Sequence, residues 1–205
     1  MNDLLAPIAQ YYTDKLQRFG SDPRGVDWNG SEGQVLRFAQ LCQVLDHGTS
    51  FSVADIGCGY GALLDFLELQ FADFDYTGVD ISEAMVAAAA RRHASKQYAR
   101  FIQGTQAPGQ TDFAVASGIF NVKLGQTEST WRTYIGTTLD AMHTATTKGF
   151  AFNCLTSYSD ADKMRPDLHY ADPCELFDLC KRKFSRNVAL LHDYGLYEFT
   201  ILVRK

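Results

Sequence analysis

Residues Val53-Ala54-Asp55-Ile56-Gly57-Cys58-Gly59-Tyr60-Gly61-Ala62 constrain this chain more than any other stretch. A short β-branched and apolar run contains an acidic residue, three glycines follow at alternate positions, and Ala62-Leu63-Leu64-Asp65-Phe66-Leu67 continues with helical character. The pattern predicts strand, tight turn and helix. Glycines suit such a turn because the backbone bends sharply and lets a ligand approach where a Cβ would collide. The helix that follows offers unpaired N–H groups and the positive end of its dipole to an anionic group.

Asp80 comes 19 residues after Gly61 and ends Tyr76-Thr77-Gly78-Val79-Asp80, which reads as the second parallel strand of a βαβ unit. A carboxylate at that strand end is placed to accept hydrogen bonds from both hydroxyls of a ribose. On this reading Asp80→Ala weakens nucleoside binding with little loss of folding stability. The glycines alone leave two cofactors open, because Gly57-x-Gly59-x-x-Ala62 also satisfies the dinucleotide fingerprint. Asp55 separates them: a dinucleotide would bring pyrophosphate against a carboxylate, an encounter of like charges.

Asp55-x-Gly57-x-Gly59-x-Gly61 resembles the first motif of class I S-adenosylmethionine-dependent methyltransferases. The resemblance implies S-adenosylmethionine as cofactor, with Asp55 and the glycine-turn backbone at its methionine end. It further implies a cofactor site completed by Asp80 and Ile81, by Thr105 and Gln106 after the third strand, and by Ser117 and Gly118 at the end of the fourth. Where that family commonly bears an acidic residue near the adenine amino group, this chain has Gly104-Thr105-Gln106. Two other classes stay open: an NAD-dependent oxidoreductase, for which no substrate-anchoring arginine is visible, and a non-catalytic methyltransferase-like partner subunit.

With 205 residues the chain suits one α/β core, too short for a cofactor domain plus an independent substrate domain. Its net charge of -5 argues against a nucleic-acid footprint. Arg91-Arg92 and Lys181-Arg182-Lys183 fall at predicted helix C-termini, where the dipole favours cations. Five cysteines show neither a CxxC pair nor zinc spacing, which favours reduced, mostly buried thiols. No metal site, basic leader or membrane-length apolar run is read, so the expected location is cytoplasmic. Oligomeric state is not legible.

Along the chain, Leu4, Leu5, Ile8, Tyr11, Tyr12, Leu16 and Phe19 predict an amphipathic helix over 2–19 stopped by Gly20. Residues 1–30 are expected to form that helix and a lid carrying Trp28, with 31–205 the main domain. Ser31-x-x-Gln34 predicts a capping box for the next helix, whose apolar face would include Val35 and Leu36. Strands are predicted at 100–104, 111–118 and 149–156, and Ser82 and Asp172 as helix caps. The chain closes on an alternating hairpin, Val188 to His192 and Leu196 to Arg204. The resulting expectation is a Rossmann-like α/β fold: a seven-stranded sheet, mostly parallel with a C-terminal antiparallel hairpin, helices on both faces and an extra N-terminal helix.

A sulfonium methyl is already activated, so such an enzyme mainly aligns a small-molecule acceptor in line with the S–CH₃ bond and excludes water, whether the methyl goes to O, N or C. The (Asn/Asp)-Pro-Pro-(Tyr/Phe) motif of adenine and glutamine amino methyltransferases is missing after strand four, and Pro173-Cys174 reads as a helix start. If a base is used, the loop from Ser157 to Ala171 offers His169, with Tyr170 beside it. Trp28, Phe120 and Tyr170 are candidate walls of an acceptor pocket, and Arg37 a candidate donor to a cofactor carboxylate.

Overall fold

Strands with no polar face are stable only between two helical layers, and that condition shapes this molecule. The fold is taken from a computed structural model that describes residues 2–28 and 30–205; Met1 and Asn29, both within the segment expected to form the N-terminal helix and lid, lie outside the described residues. In β1 (Phe51–Ile56) the side chains of Phe51 and Val53 enter one core and those of Ala54 and Ile56 the other. β4 (Thr111–Ala116) divides the same way, Phe113 and Val115 to one side, Ala114 and Ala116 to the other. This is the two-residue period of a strand buried on both faces.

With β2 (Phe74–Asp80), β3 (Ala99–Gln103), β5 (Thr146–Leu155), β6 (Asn187–Leu191) and β7 (Glu198–Arg204), the described strands form one seven-stranded sheet in the order β3-β2-β1-β4-β5-β7-β6. Every pairing is parallel except those of β7, which runs antiparallel to β5 and β6. The expected closing hairpin is therefore present. The strand order reverses between β1 and β4, so a crevice opens where both strands end.

One face is covered by α1 (Asn2–Phe19), α5 (Glu128–Ala145) and α6 (Pro173–Lys183), which contribute Leu5, Ile8, Trp131, Leu139 and Cys180 to its core. The other is covered by α2 (Ser31–Leu41) and α3 (Ala62–Gln70), through Phe38, Leu41, Leu63, Leu64 and Leu67. α4 (Glu83–Arg92) ends on the expected arginine pair and is capped by Ser82, whose Oγ accepts from the Met85 N–H at 3.2 Å. Asp172 caps α6 by accepting from the N–H groups of Cys174 and Glu175. Among the described residues no helix is long and apolar enough to cross a membrane, and no cluster of His, Cys, Asp and Glu could hold a metal ion.

The start of α2 corrects the expected capping box. Gly30 is the N-cap, Ser31 is already helical, and no side chain caps the helix. Gln34 instead turns inward, where its carboxamide oxygen accepts from the Tyr60 hydroxyl at 3.4 Å. The buried face follows Gln34, Phe38 and Leu41, leaving Val35 50% exposed.

Leu64 is fully enclosed between α3 and the sheet, so Leu64→Ala should lower unfolding free energy by about 2–5 kcal/mol in urea titration. Leu69, on the same helix but 81% exposed, sets the comparison: Leu69→Ala should stay within about 0.5 kcal/mol of the parent.

Candidate active site

The turn after β1 carries the three glycines in the left-handed region, with φ of 78°, 54° and 82° at Gly57, Gly59 and Gly61. A side chain at Gly57 is excluded twice, by its φ and by Ile119, whose Cγ2 would stand 2.1 Å from the added Cβ. Gly57 and Cys58 both donate their N–H groups to the Val79 carbonyl, at 2.7 and 3.0 Å, lashing the turn to β2.

Asp80, at the end of β2, braces the same turn. One carboxylate oxygen accepts from the Gly59 N–H and the other from the Ser82 N–H, each at 2.8 Å. This corrects the expectation that Asp80 can be truncated with little structural loss, since both backbone donors would be left buried. Burial raises its pKa above the ordinary carboxylate value, and the bonds from Ser82 and Gly59 oppose the rise. Asp55, near the end of β1, accepts from the Tyr76 hydroxyl at 2.6 Å. Its carboxyl is pushed up to about 7, by burial first, with Tyr76 lowering it and the neighbouring Asp80 charge raising it.

Above the turn lies a partly open cavity. Asp55, Gly57, Gly59 and Asp80 line its base; Ile81, Gly104 and Thr105 line one end, Ser117 and Gly118 another. Leu5, Ile8 and Tyr12 of α1, with Val26 and Trp28 of the following loop, roof it. Gln106 is exposed and does not line it, so the expected contact from its side chain is corrected: the chain has already turned outward after Thr105. Ser117 Oγ is buried and has no hydrogen-bond partner among the described residues. A buried hydroxyl left unmatched beside a cavity is a place for a ligand's polar group.

A second cavity adjoins the first and shares Tyr12, Val26, Trp28 and Gly118 with it. Tyr170 and Leu168 of the Ser157–Ala171 loop line this second space, together with Arg37 and Tyr197. Trp28 and Tyr170 both line this second space, whereas Phe120 is fully buried against Phe152 and Tyr134 and belongs to the core, which corrects its expected place as a pocket wall. Arg37 does not line the glycine-turn cavity; it grips Glu198 with Nε and Nη2 at 2.8 and 2.7 Å, so its proposed hand-off to a cofactor carboxylate is corrected.

His169 is also corrected. It lines neither of these cavities but a separate one between α5 and α6, where Nδ1 lies 2.9 Å from Glu128 and the ring is 5% exposed. Burial lowers its pKa, Glu128 opposing. Its backbone N–H donates to the Asn121 carbonyl, and its imidazole faces Glu128. Sequence reading passed over Tyr76, Asn153 and Glu198 as site residues. Glu198 had a signal: it is the acidic residue at the head of an otherwise alternating apolar strand.

Residues 54–141 match the family model described as a methyltransferase domain. "Putative methyltransferase Rv1506c" of Mycobacterium tuberculosis is 56% identical over 163 residues, which cover 80% of this chain and 98% of that protein. Among solved structures, the N-methyltransferase NodS from Bradyrhizobium japonicum WM9 in complex with S-adenosyl-L-homocysteine superposes with a TM-score of 0.68 at 16% identity, over 96% of this chain and 97% of that one. The magnesium protoporphyrin IX methyltransferase ChlM from Synechocystis PCC 6803 with bound S-adenosylhomocysteine gives 0.66 at 14% identity, over 98% and 99%. At those identities the two structures share the fold, whereas the mycobacterial relative shares the sequence over nearly its whole length. The chain belongs to the methyltransferase family.

Proposed function

We propose that this methyltransferase, whose cofactor is S-adenosylmethionine, holds it in the glycine-turn cavity and admits a small-molecule acceptor through the adjoining one. The observation that carries the reading is the pair of buried carboxylates, Asp55 and Asp80, ending adjacent strands beneath a turn whose glycine at 57 has no room for a Cβ. The cavity fits the group. Asp80 keeps unused lone pairs for ribose hydroxyls, Asp55 matches an ammonium, and Ser117 Oγ awaits a polar partner. Ile81, Gly104 and Thr105 give that part of the lining mixed polarity, which suits a purine. The bound cofactor supplies a methyl group already activated on a sulfonium.

The chain's own task is alignment and exclusion of water. Leu5, Ile8, Tyr12, Val26 and Trp28 cover the cavity with apolar surface, and Trp28 and Gly118, common to both cavities, mark where the acceptor meets the reacting centre. Residues 20–30 act as the lid in this reading, fastened to α1 by the ion pair of Asp27 with Lys15 at 2.5 Å and by the Tyr11 hydroxyl bond to Asp27. Tyr170 stands on the acceptor side, its hydroxyl accepting from the Arg165 N–H at 3.0 Å. With His169 in a different cavity, an acceptor that is nucleophilic without a protein base suits the site best.

Calorimetry should show S-adenosylmethionine binding and no NADH binding; the reverse preference overturns the reading. Asp80→Ala should weaken S-adenosylmethionine by tens to hundreds of fold, about 2–4 kcal/mol, and should also lower unfolding free energy by about 1–3 kcal/mol because the Gly59 and Ser82 donors lose their acceptor. Asp80→Asn, which keeps an acceptor oxygen, should recover part of the stability and little of the affinity.

Asp55 makes binding depend on pH. Above about 7 its carboxylate pairs with the cofactor's ammonium, and below that value the proton must leave before the pair can form. Affinity for S-adenosylmethionine should therefore fall toward about tenfold per unit as pH drops below 7 and level off above it. Adenosine, lacking the ammonium, should show no such slope, and Asp55→Asn should flatten it. An affinity that rises on acidification would remove Asp55 from the methionine end.

A further inference from the structure

Glu198 opens β7 in a buried setting, its side chain 1% exposed and that of Arg37 12%. Both carboxylate oxygens accept hydrogen bonds: Oε1 takes Arg37 Nη2, while Oε2 takes both Arg37 Nε and Asn153 Nδ2, the last at 3.0 Å. Two segments are held in place by this one carboxylate. On one side the Arg37 guanidinium, fixed in plane by its two-pronged grip, lies 3.9 Å from the centre of the Trp28 ring. On the other, Asn153 is oriented so that its Oδ1 accepts the Gly118 N–H at 2.7 Å.

The two arms meet. Gly118 has φ of 75° and no Cβ, and the Trp28 ring edge occupies the space a Cβ would need, with Cζ2 and Cη2 2.6 and 2.7 Å from that position. The contacts thus close a ring: Trp28, Arg37, Glu198, Asn153, Gly118 and back to Trp28. The two residues where it closes, Trp28 and Gly118, are shared by both cavities. An apolar pair in place of Arg37 and Glu198 would join α2 to β7 without the desolvation cost of buried charges. It would offer neither a fixed plane for Trp28 nor an orienting acceptor for Asn153.

We propose that Glu198 is a positioning residue for methyl transfer: acting through Arg37 and Asn153, it holds from both sides the wall, Trp28 on Gly118, that separates cofactor from acceptor. Its bearing on catalysis rests on the assignment of the two cavities above; the mechanical part stands on the contacts themselves. Glu198→Gln is the informative variant. Glutamine has one amide oxygen where the carboxylate had two, and its NH₂ must face Arg37 or Asn153, both of which present donors.

The test uses the full chain labelled with ¹⁵N, following the Trp28 indole signal and the hydrogen exchange of the Gly118 amide without ligand, then S-adenosylmethionine affinity by calorimetry. Glu198→Gln should move the Trp28 signal, speed Gly118 exchange by about tenfold and weaken S-adenosylmethionine by about tenfold. Arg37→Lys keeps the charge and loses the plane, so it should move Trp28 while Gly118 exchange stays near the parent value. Leu64→Ala, destabilising but remote from the ring, should change neither. A folded Glu198→Gln protein with unchanged Trp28 and Gly118 behaviour overturns the proposal, and so does a Leu64→Ala protein that shifts both equally. Failure of the parent protein to bind S-adenosylmethionine overturns the cavity assignment instead, while the ligand-free measurements still decide whether Glu198 holds the wall.

Discussion

The acceptance of two backbone N–H groups by Asp80 is the interaction on which the rest of this structure depends. A glycine turn has few conformational restraints of its own, and three left-handed glycines at alternate positions lose more entropy on ordering than ordinary residues. The Asp80 carboxylate, taking Gly59 on one oxygen and Ser82 on the other, pins the turn after β1 to the turn after β2. Val79 adds its carbonyl to the Gly57 and Cys58 N–H groups from the same strand end. The cavity thereby acquires a rigid base before any ligand arrives, which reduces the ordering that binding would otherwise require.

Rigidity here comes with electrostatic tension. Asp55 and Asp80 lie at the ends of neighbouring strands, both buried, and burial together with the Asp80 charge raises the cost of ionising Asp55. Tyr76 relieves part of that cost with a hydroxyl bond but not all of it, so the site is richer in negative charge than folding alone would favour. A cationic, hydroxyl-bearing ligand is the natural relief. Destabilised ionisable groups gathered in a crevice are typical of binding sites, and their placement at the reversal of strand order is where open α/β sheets bind ligands.

Residues of α1 and of the loop after it line the cavity, and their attachment is graded. Leu5 and Ile8 are built into the core beside α5, and Thr13 reaches Ser82 at 2.8 Å. Beyond Gly20 the chain crosses the cavity in a short 3-10 turn, Pro23–Val26, held at Asp27 by Tyr11 and Lys15 and at Trp28 by the Arg37 plane. The α1 anchor is apolar and cooperative with the fold; the later holds are polar, partly exposed and individually weak.

The amino-acid sequence by itself determined the strands, the glycine turn, the caps at Ser82 and Asp172, and the importance of Asp55 and Asp80. These features follow from neighbours in the chain: apolar period, the φ that glycine alone tolerates, and a cap three residues before the N–H it accepts. Tertiary structure alone decided where distant side chains meet. Arg37 and Glu198 are separated by 161 positions, and nothing local says that the arginine will face a buried carboxylate rather than a ligand. His169 looked like an available base because its loop is polar, yet its ring meets Glu128, 41 positions away, in a separate cavity. Gln34 likewise read as a cap and became a buried partner of Tyr60. The physical reason is the same in each case: periodicity states which face of an element is apolar, while the partner of a polar group depends on how whole elements register against one another across the sheet.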